Sequence, residues 1–318
     1  MWILLLGLAA GLVALTFGAD WLVRGGAALA ARFGVSPIVV GLTVVAFGTS
    51  APELVVSLNA VLQGSGDLAA GNVIGSNLFN LAVILAITAL IAPVVADRAM
   101  ARFDAPVMWF SGVLLWWFFA DRHVGRMEGG ILATMLLGYL VATYLRVRRG
   151  RGAGALGDAV EVDMVVAGGV WRDLMWVAAG GVGLALGSYW LVWSATGLAS
   201  HFGVSEAVIG LTIVAAGTSL PELATSVVAA LRKHGGMAVG NLIGSNVFNA
   251  FCIVGLTGLV HPFAAEGIRD VDLWVMVGVG TLVAAAMWPR ARFGRVGGVL
   301  LLGGYLGYLV FVWPSAGG

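Results

Sequence analysis

Residues 33–54, FGVSPIVVGLTVVAFGTSAPEL, return as residues 202–223, FGVSEAVIGLTIVAAGTSLPEL, with 16 of 22 positions identical. Residues 71–80, GNVIGSNLFN, return as 240–249, GNLIGSNVFN, with 8 of 10 identical, and GADWLV (18–23) faces GSYWLV (187–192). The offset is 169 residues in all three pairs. An unbroken offset over such distances is the mark of an internal duplication, so the two halves must share one fold. Composition then sets the solvent. Of 318 residues, 60% are hydrophobic and 10% charged, where a soluble domain carries about 25% charged residues. So little polar material cannot cover a water-facing surface, and the chain reads as an all-α polytopic membrane protein.

At about 20 residues per crossing, ten spans fit, with apolar cores near 3–23, 37–62, 68–92, 104–120, 128–145, 173–197, 206–231, 237–260, 271–289 and 296–313. The N-terminus lacks a basic n-region and a cleavage site and reads as a retained first span. The long polar interruption, RVRRGRGAGALGDAVEVD at 146–163, reads as a linker. The division is a first repeat over 1–145, a linker over 146–167 and a second repeat over 168–318. Five spans is an odd number, so the second repeat enters from the opposite side and the halves are inverted about an axis in the membrane plane. With the N-terminus outside, fourteen Lys and Arg fall in inner loops and three (Arg122, Arg126 and Arg269) in outer loops. That positive-inside bias places both termini outside and the linker in the cytoplasm.

Nearly all of the sixteen acidic residues fall in loops or at span ends. Glu53 and Glu222 do not. A carboxylate at bilayer depth costs about 2.5–3.5 kcal/mol on insertion scales and marks a bundle interior or an ion path. The repeat makes the two equivalent, so they are expected to meet across the pseudo-two-fold axis. Each follows a proline. Pro52 cannot donate to the carbonyl of Gly48, nor Pro221 to that of Gly217, so each helix is expected to break and leave carbonyl oxygens beside a carboxylate. Thr49, Ser50, Thr218 and Ser219 add hydroxyls. The next spans add amides and hydroxyls: Asn72, Ser76, Asn77 and Asn80 in one half, Asn241, Ser245, Asn246 and Asn249 in the other. Ser76 and Asn80 share a helical face, as do Ser245 and Asn249. Gly71/Gly75 and Gly240/Gly244 form small-residue faces for close helix packing.

This inventory is all oxygen, which suits hard cations. Mg²⁺ sheds its water reluctantly, so Ca²⁺ is favoured. Two glutamates bring a charge of −2, which one Ca²⁺ or two Na⁺ neutralise, so the ions can compete for one site. Asp20 reads as an i,i+4 partner of Arg24, Cys252 as a small core residue, the four histidines as surface residues, and Trp116, Trp117, Trp190 and Trp193 as lipid-facing or interfacial. A proton-coupled antiporter, a cation channel with a carboxylate ring and an intramembrane serine enzyme are the alternatives. The last lacks any base near Ser50 or Ser219.

At these motifs the chain resembles the cation/Ca²⁺ exchanger superfamily, in particular the prokaryotic sodium/calcium exchangers, whose inverted repeats carry GTS-x-PE and GS-N-x-x-N-like signatures. The resemblance covers the whole chain and implies alternating-access exchange of Na⁺ for Ca²⁺ in a bacterial inner membrane, with no cofactor, no nucleic-acid partner and a monomeric chain in the bilayer. Carried over, Glu53 and Glu222 are the shared carboxylates, and Thr49, Ser50, Thr218, Ser219, Ser76 and Ser245 supply oxygens. Asn80 and Asn249 join the cluster, and Ala46 and Ala215 give carbonyls to flanking Na⁺ sites. Relatives often carry aspartate where this chain has Asn249, which leaves one carboxylate fewer here and bears on stoichiometry and coupling ion.

Overall fold

The computed structural model describes residues 1–34, 37–95, 98, 100–148, 169–201, 215–288 and 292–312. Most of the linker, and residues 202–214 with the first part of span seven (206–214), lie outside those residues. The chain is almost wholly helical. Helix α1 (Trp2–Phe33) is followed by Pro37–Val40 and a bent pair, α2 (Gly41–Thr49) and α3 (Ala51–Leu62). Then come α4 (Gly66–Ile91), α5 (Ala105–Phe118) and α6 (Arg126–Arg148). The second half repeats this as α7 (Val170–His201), α8 (Ala215–Thr218), α9 (Leu220–Leu231), α10 (Gly235–Val260), α11 (Asp270–Met287) and α12 (Arg295–Val312).

Among the described residues six helices are long and apolar enough to cross a membrane, and the bent pair makes a seventh. The shorter α5, α9 and α12 stand where spans four, seven and ten are expected. Helices α1 and α7 outrun their predicted ends at 23 and 197, each reaching 32 residues, or about 48 Å at 1.5 Å per residue. The charge at Arg24 looked like a span end, but its partner Asp20 lies one turn back, 2.8 Å away, so the helix passes through it.

Helices α1 and α7 pack antiparallel on a glycine seam. Gly11 lies against Gly187, Gly18 against Gly183 and Leu184, and Gly25 against Val177. Equivalent helices running in opposite directions side by side are what an inverted repeat requires. A Cβ at Gly18 would stand 2.7 Å from the amide nitrogen of Leu184, so only glycine allows this approach.

Two short ribbons repeat the symmetry. Strand β1 (Val94–Val95) pairs with β4 (Arg292–Phe293), and β2 (His123–Val124) with β3 (Phe263–Ala264), both antiparallel. Val94 faces Phe293 and Val124 faces Phe263, pairs that exchange under the 169-residue offset. The larger core cluster is built from α4, α5, α10 and α11. Here α4 and α10 are the most deeply enclosed spans, with 72% and 78% of their apolar windows buried. The long α1 and α7 lie outside this core, each with 22% of its window buried.

Trp117, Trp190 and Trp193 are exposed as expected, and Cys252 is buried. Trp116 is half-buried and packs on the exposed Trp274, ring centroids 4.7 Å apart, where α5 meets α11.

Candidate cation site

The break that the sequence places near Gly48 falls at Ser50. Its backbone (φ −87°, ψ 3°) leaves the helical region, and α2 and α3 meet at 50°. Pro52 then stands in the first turn of α3, where a missing N–H costs nothing. Ser219 has the same geometry (φ −88°, ψ 7°) ahead of α9. Each break thus sets a Thr-Ser pair and a glutamate within one turn of each other.

The two breaks interlock crosswise. The Ser50 hydroxyl donates to Glu222 Oε1 at 2.9 Å, and that of Ser219 to Glu53 Oε1 at 3.3 Å. Thr49 donates to Asn241 Oδ1 and Thr218 to Asn72 Oδ1, each at 3.1 Å. The same two amides return to their own repeats, Asn72 Nδ2 to Ser57 Oγ at 2.9 Å and Asn241 Nδ2 to Ser226 Oγ at 3.2 Å. Every one of these contacts is matched by its offset partner, as a two-fold axis demands. Ser76 Oγ lies 3.1 Å from Ser219 Oγ, which can accept its hydroxyl while donating to Glu53, and the Ser245 hydroxyl reaches Glu222 Oε1 at 3.5 Å.

Asn80 and Asn249 each begin a π-helical turn, Asn80–Ile84 and Asn249–Val254, the kind of interruption that clusters at functional sites. Asn249 Nδ2 donates to Asn77 Oδ1 at 3.1 Å, whereas neither polar atom of Asn80 has a partner among the described residues. Glu53 is 1% exposed and Glu222 0%, yet Oε2 of each, together with Asn249 Oδ1, also lacks a partner there. Buried polar atoms are ordinarily bonded, so four side chains here carry unspent oxygen capacity.

The ion pairs of the described residues lie elsewhere, on Asp20, Asp104, Asp173, Asp270 and Asp272. Among those residues, the charge of the two glutamates is therefore not met by a neighbouring arginine or lysine. A buried pair of carboxylates without a basic partner needs a cation or a proton.

The carbonyls at the two breaks differ. The Gly217 oxygen accepts the Ser188 hydroxyl from α7 at 2.5 Å, which takes one of its two lone pairs. Ala19 stands at the equivalent place of α1 and has no hydroxyl. The Ala46 carbonyl accepts from Ser50 N at 3.0 Å, and the Thr49 hydroxyl oxygen, whose hydrogen goes to Asn241, lies 3.3 Å from it. Ala215 opens α8. Of the glycine faces, Gly244 makes the close approach: a Cβ added there would stand 2.7 Å from Leu42 O. Gly71 and Gly75 have no described neighbour on that face, since most of the segment equivalent to α2 lies outside the described residues.

Ser57 and Ser226 are functional neighbours that motif reading missed. Each lies one turn after its glutamate, on the same face and at the shared offset, which was the available signal.

The sequence matches the family described as sodium/calcium exchanger protein over residues 3–145 and 173–313. It is 34% identical to the inner membrane protein YrbG of Escherichia coli, covering 96% of this chain and 95% of that one. It is 31% identical to the sodium/calcium exchanger MaX1 of Methanosarcina acetivorans, covering 95% and 96%. Among solved structures, the sodium-calcium exchanger NCX_Mj soaked with Na⁺ and Ca²⁺ matches with a TM-score of 0.83 at 29% identity, over 96% of this chain and 97% of that one.

Proposed function

The chain belongs to the sodium/calcium exchanger family, and from that premise we propose that it carries Ca²⁺ one way across the membrane and Na⁺ the other, at the paired glutamates. The family is one of transporters, so the serines beside the glutamates are ligands and not nucleophiles. The observation that carries the reading is the pair of buried carboxylates, each with one oxygen bonded crosswise to the other repeat's serine and one without a partner among the described residues.

As substrate, Ca²⁺ draws on the free oxygens of Glu53 and Glu222, with Thr49, Thr218, Ser50 and Ser219 close by. Its two charges cancel theirs. Two Na⁺ ions do the same, so binding is competitive and the carriers of each charge alternate. Asn80, Asn249, Ser76 and Ser245 extend the oxygen set to either side, and the carbonyls of Ala46 and Ala215 flank it. Ca²⁺ accepts six to eight oxygens in irregular arrangements, which fits a set drawn from four helices. Asparagine at both 80 and 249 keeps the protein's charge in the site at −2.

The same reading divides the chain into inverted repeats over 1–145 and 168–318, with the linker in the cytoplasm, both termini outside and a monomer in a bacterial inner membrane. Alternating access follows from the inversion, since exchanging the conformations of the two repeats exchanges the open face.

The test is Ca²⁺ uptake into Na⁺-loaded proteoliposomes diluted into Na⁺-free buffer, with an imposed pH gradient as a parallel arm. Uptake driven by the Na⁺ gradient supports the proposal. Uptake driven only by the pH gradient replaces Na⁺ with H⁺ on the same carboxylates, and uptake in neither arm overturns exchange.

A further inference from the structure

Sequence makes the two repeats nearly equivalent, but the long helices do not treat them alike. Helix α1 runs along α9, where Leu220, Ala224 and Val228 pack against a cluster containing Leu15, Ala19, Leu22 and Val23. Among the described residues, its mate α7 makes no comparable run along α3. The face of α3 equivalent to the covered face of α9 is open: Val55, the mate of Ala224, is 58% exposed, and Asn59, the mate of Val228, is exposed as well.

One ion pair fastens the covered side. Asp20 of α1 pairs with Arg232, the residue that ends α9, and also with Arg24 on its own helix at 2.8 Å. Arg232 lies ten residues beyond Glu222, about 15 Å along the helix, so the pair closes the space at the far end of α9 and not the ion site itself. The offset mates of Asp20 and Arg232 are Tyr189 and Gln63. Neither is charged, so no such pair can form when α7 lies on α3. The Ser188 hydroxyl on the Gly217 carbonyl is a second contact to the second repeat whose mate, Ala19 opposite Gly48, cannot form.

We propose that Asp20, through its ion pair with Arg232, is a positioning residue that holds α1 against α9 and keeps the exchanger in the state in which α9 is covered and the equivalent face of α3 is not. This rests on the alternating-access reading above. In the exchanged state α7 covers Asn59, α1 releases Val228, and the pair is broken, so the two access states differ in energy even with identical ions.

The test reads accessibility and not transport. Asn59→Cys and Val228→Cys reporters, each in a Cys252→Ala background, are labelled with a polar maleimide in lipid nanodiscs, where both faces meet the reagent. With Asp20 intact, Asn59→Cys labels faster than Val228→Cys. Asp20→Asn and Arg232→Gln each slow the Asn59→Cys rate and raise the Val228→Cys rate, lowering the ratio of the two about threefold, as loss of one partly exposed ion pair implies. Asp20→Glu restores the original ratio, and Ser188→Ala moves it in the same direction as Asp20→Asn. Unchanged rates in Asp20→Asn and Arg232→Gln overturn the proposal, as does a rise at both reporters, which is loosening without exchange. Should Asp20→Asn not fold, Arg232→Gln carries the test alone. Reciprocal labelling with no Na⁺-driven uptake would discard the exchange reading and keep the latch; uptake with unchanged labelling would do the reverse.

Discussion

Ser50 and Ser219 are the residues on which the two repeats trade places, because each hydroxyl serves the other repeat's glutamate. A hydrogen bond to a charged group contributes about 1.5–3 kcal/mol. Ser50→Ala is therefore expected to weaken Ca²⁺ binding about tenfold, and Ser219→Ala by a similar factor, measured as apparent affinity in uptake. A large effect at one serine alone would contradict the crosswise symmetry. Asn249 makes a finer point. Its Oδ1 has no partner among the described residues, so Asn249→Asp adds a charge at an oxygen that is already free and changes the Na⁺ dependence or the charge moved per cycle. Identical Na⁺ curves and currents in that variant would make the position a packing amide. The glutamates, prolines and flanking hydroxyls were all legible in the sequence, since an acid after a proline is conspicuous in an apolar run. Ser57 and Ser226 were not, because a serine one turn further along a helix looks like any other small residue until its amide partner is known.

Among elements, the broken helices and the enclosed pair α4 and α10 carry the geometry. Gly244 lets α10 touch the backbone of α2, and a side chain there meets Leu42 O. Overpacking a tight contact costs about 1–3 kcal/mol, so Gly244→Val is expected to lower the unfolding temperature. An unchanged unfolding temperature would mean the close approach is not what Gly244 is for. The order and approximate limits of the helices could be read from hydropathy. Their ends could not: α1 passes through Arg24 because Asp20 neutralises it on the same face, a pairing that a charge-as-boundary rule hides. The π turns at Asn80 and Asn249 also left no trace, since they depend on how α4 and α10 pack. The fate of the Gly217 carbonyl was likewise invisible, because Ser188 meets it only through the docking of α7.

For the whole molecule the offset of 169 residues does most of the specifying. It recurs in helix order, in the two ribbons and in the hydrogen bonds around the glutamates. Inversion together with the basic loops gives a topology that can be checked directly. A phosphatase active only outside the cytoplasm, fused after residue 318, is expected to be active, and the same enzyme fused within the linker to be inactive. Activity in the reverse pattern would invert the orientation. What the duplication could not convey is the difference between the halves. Asp20 and Arg232 stand opposite Tyr189 and Gln63, and such unmatched positions become meaningful only when the long helices are seen to lie unequally on the two breaks.

If Glu53 and Glu222 form one cation site shared by Ca²⁺ and Na⁺, equilibrium ⁴⁵Ca²⁺ binding to the purified protein is saturable and is displaced by increasing Na⁺. Binding is then nearly lost in both Glu53→Gln and Glu222→Gln, while each variant elutes as a folded protein. Ca²⁺ binding that persists in either variant, or that Na⁺ fails to displace, would contradict the shared site.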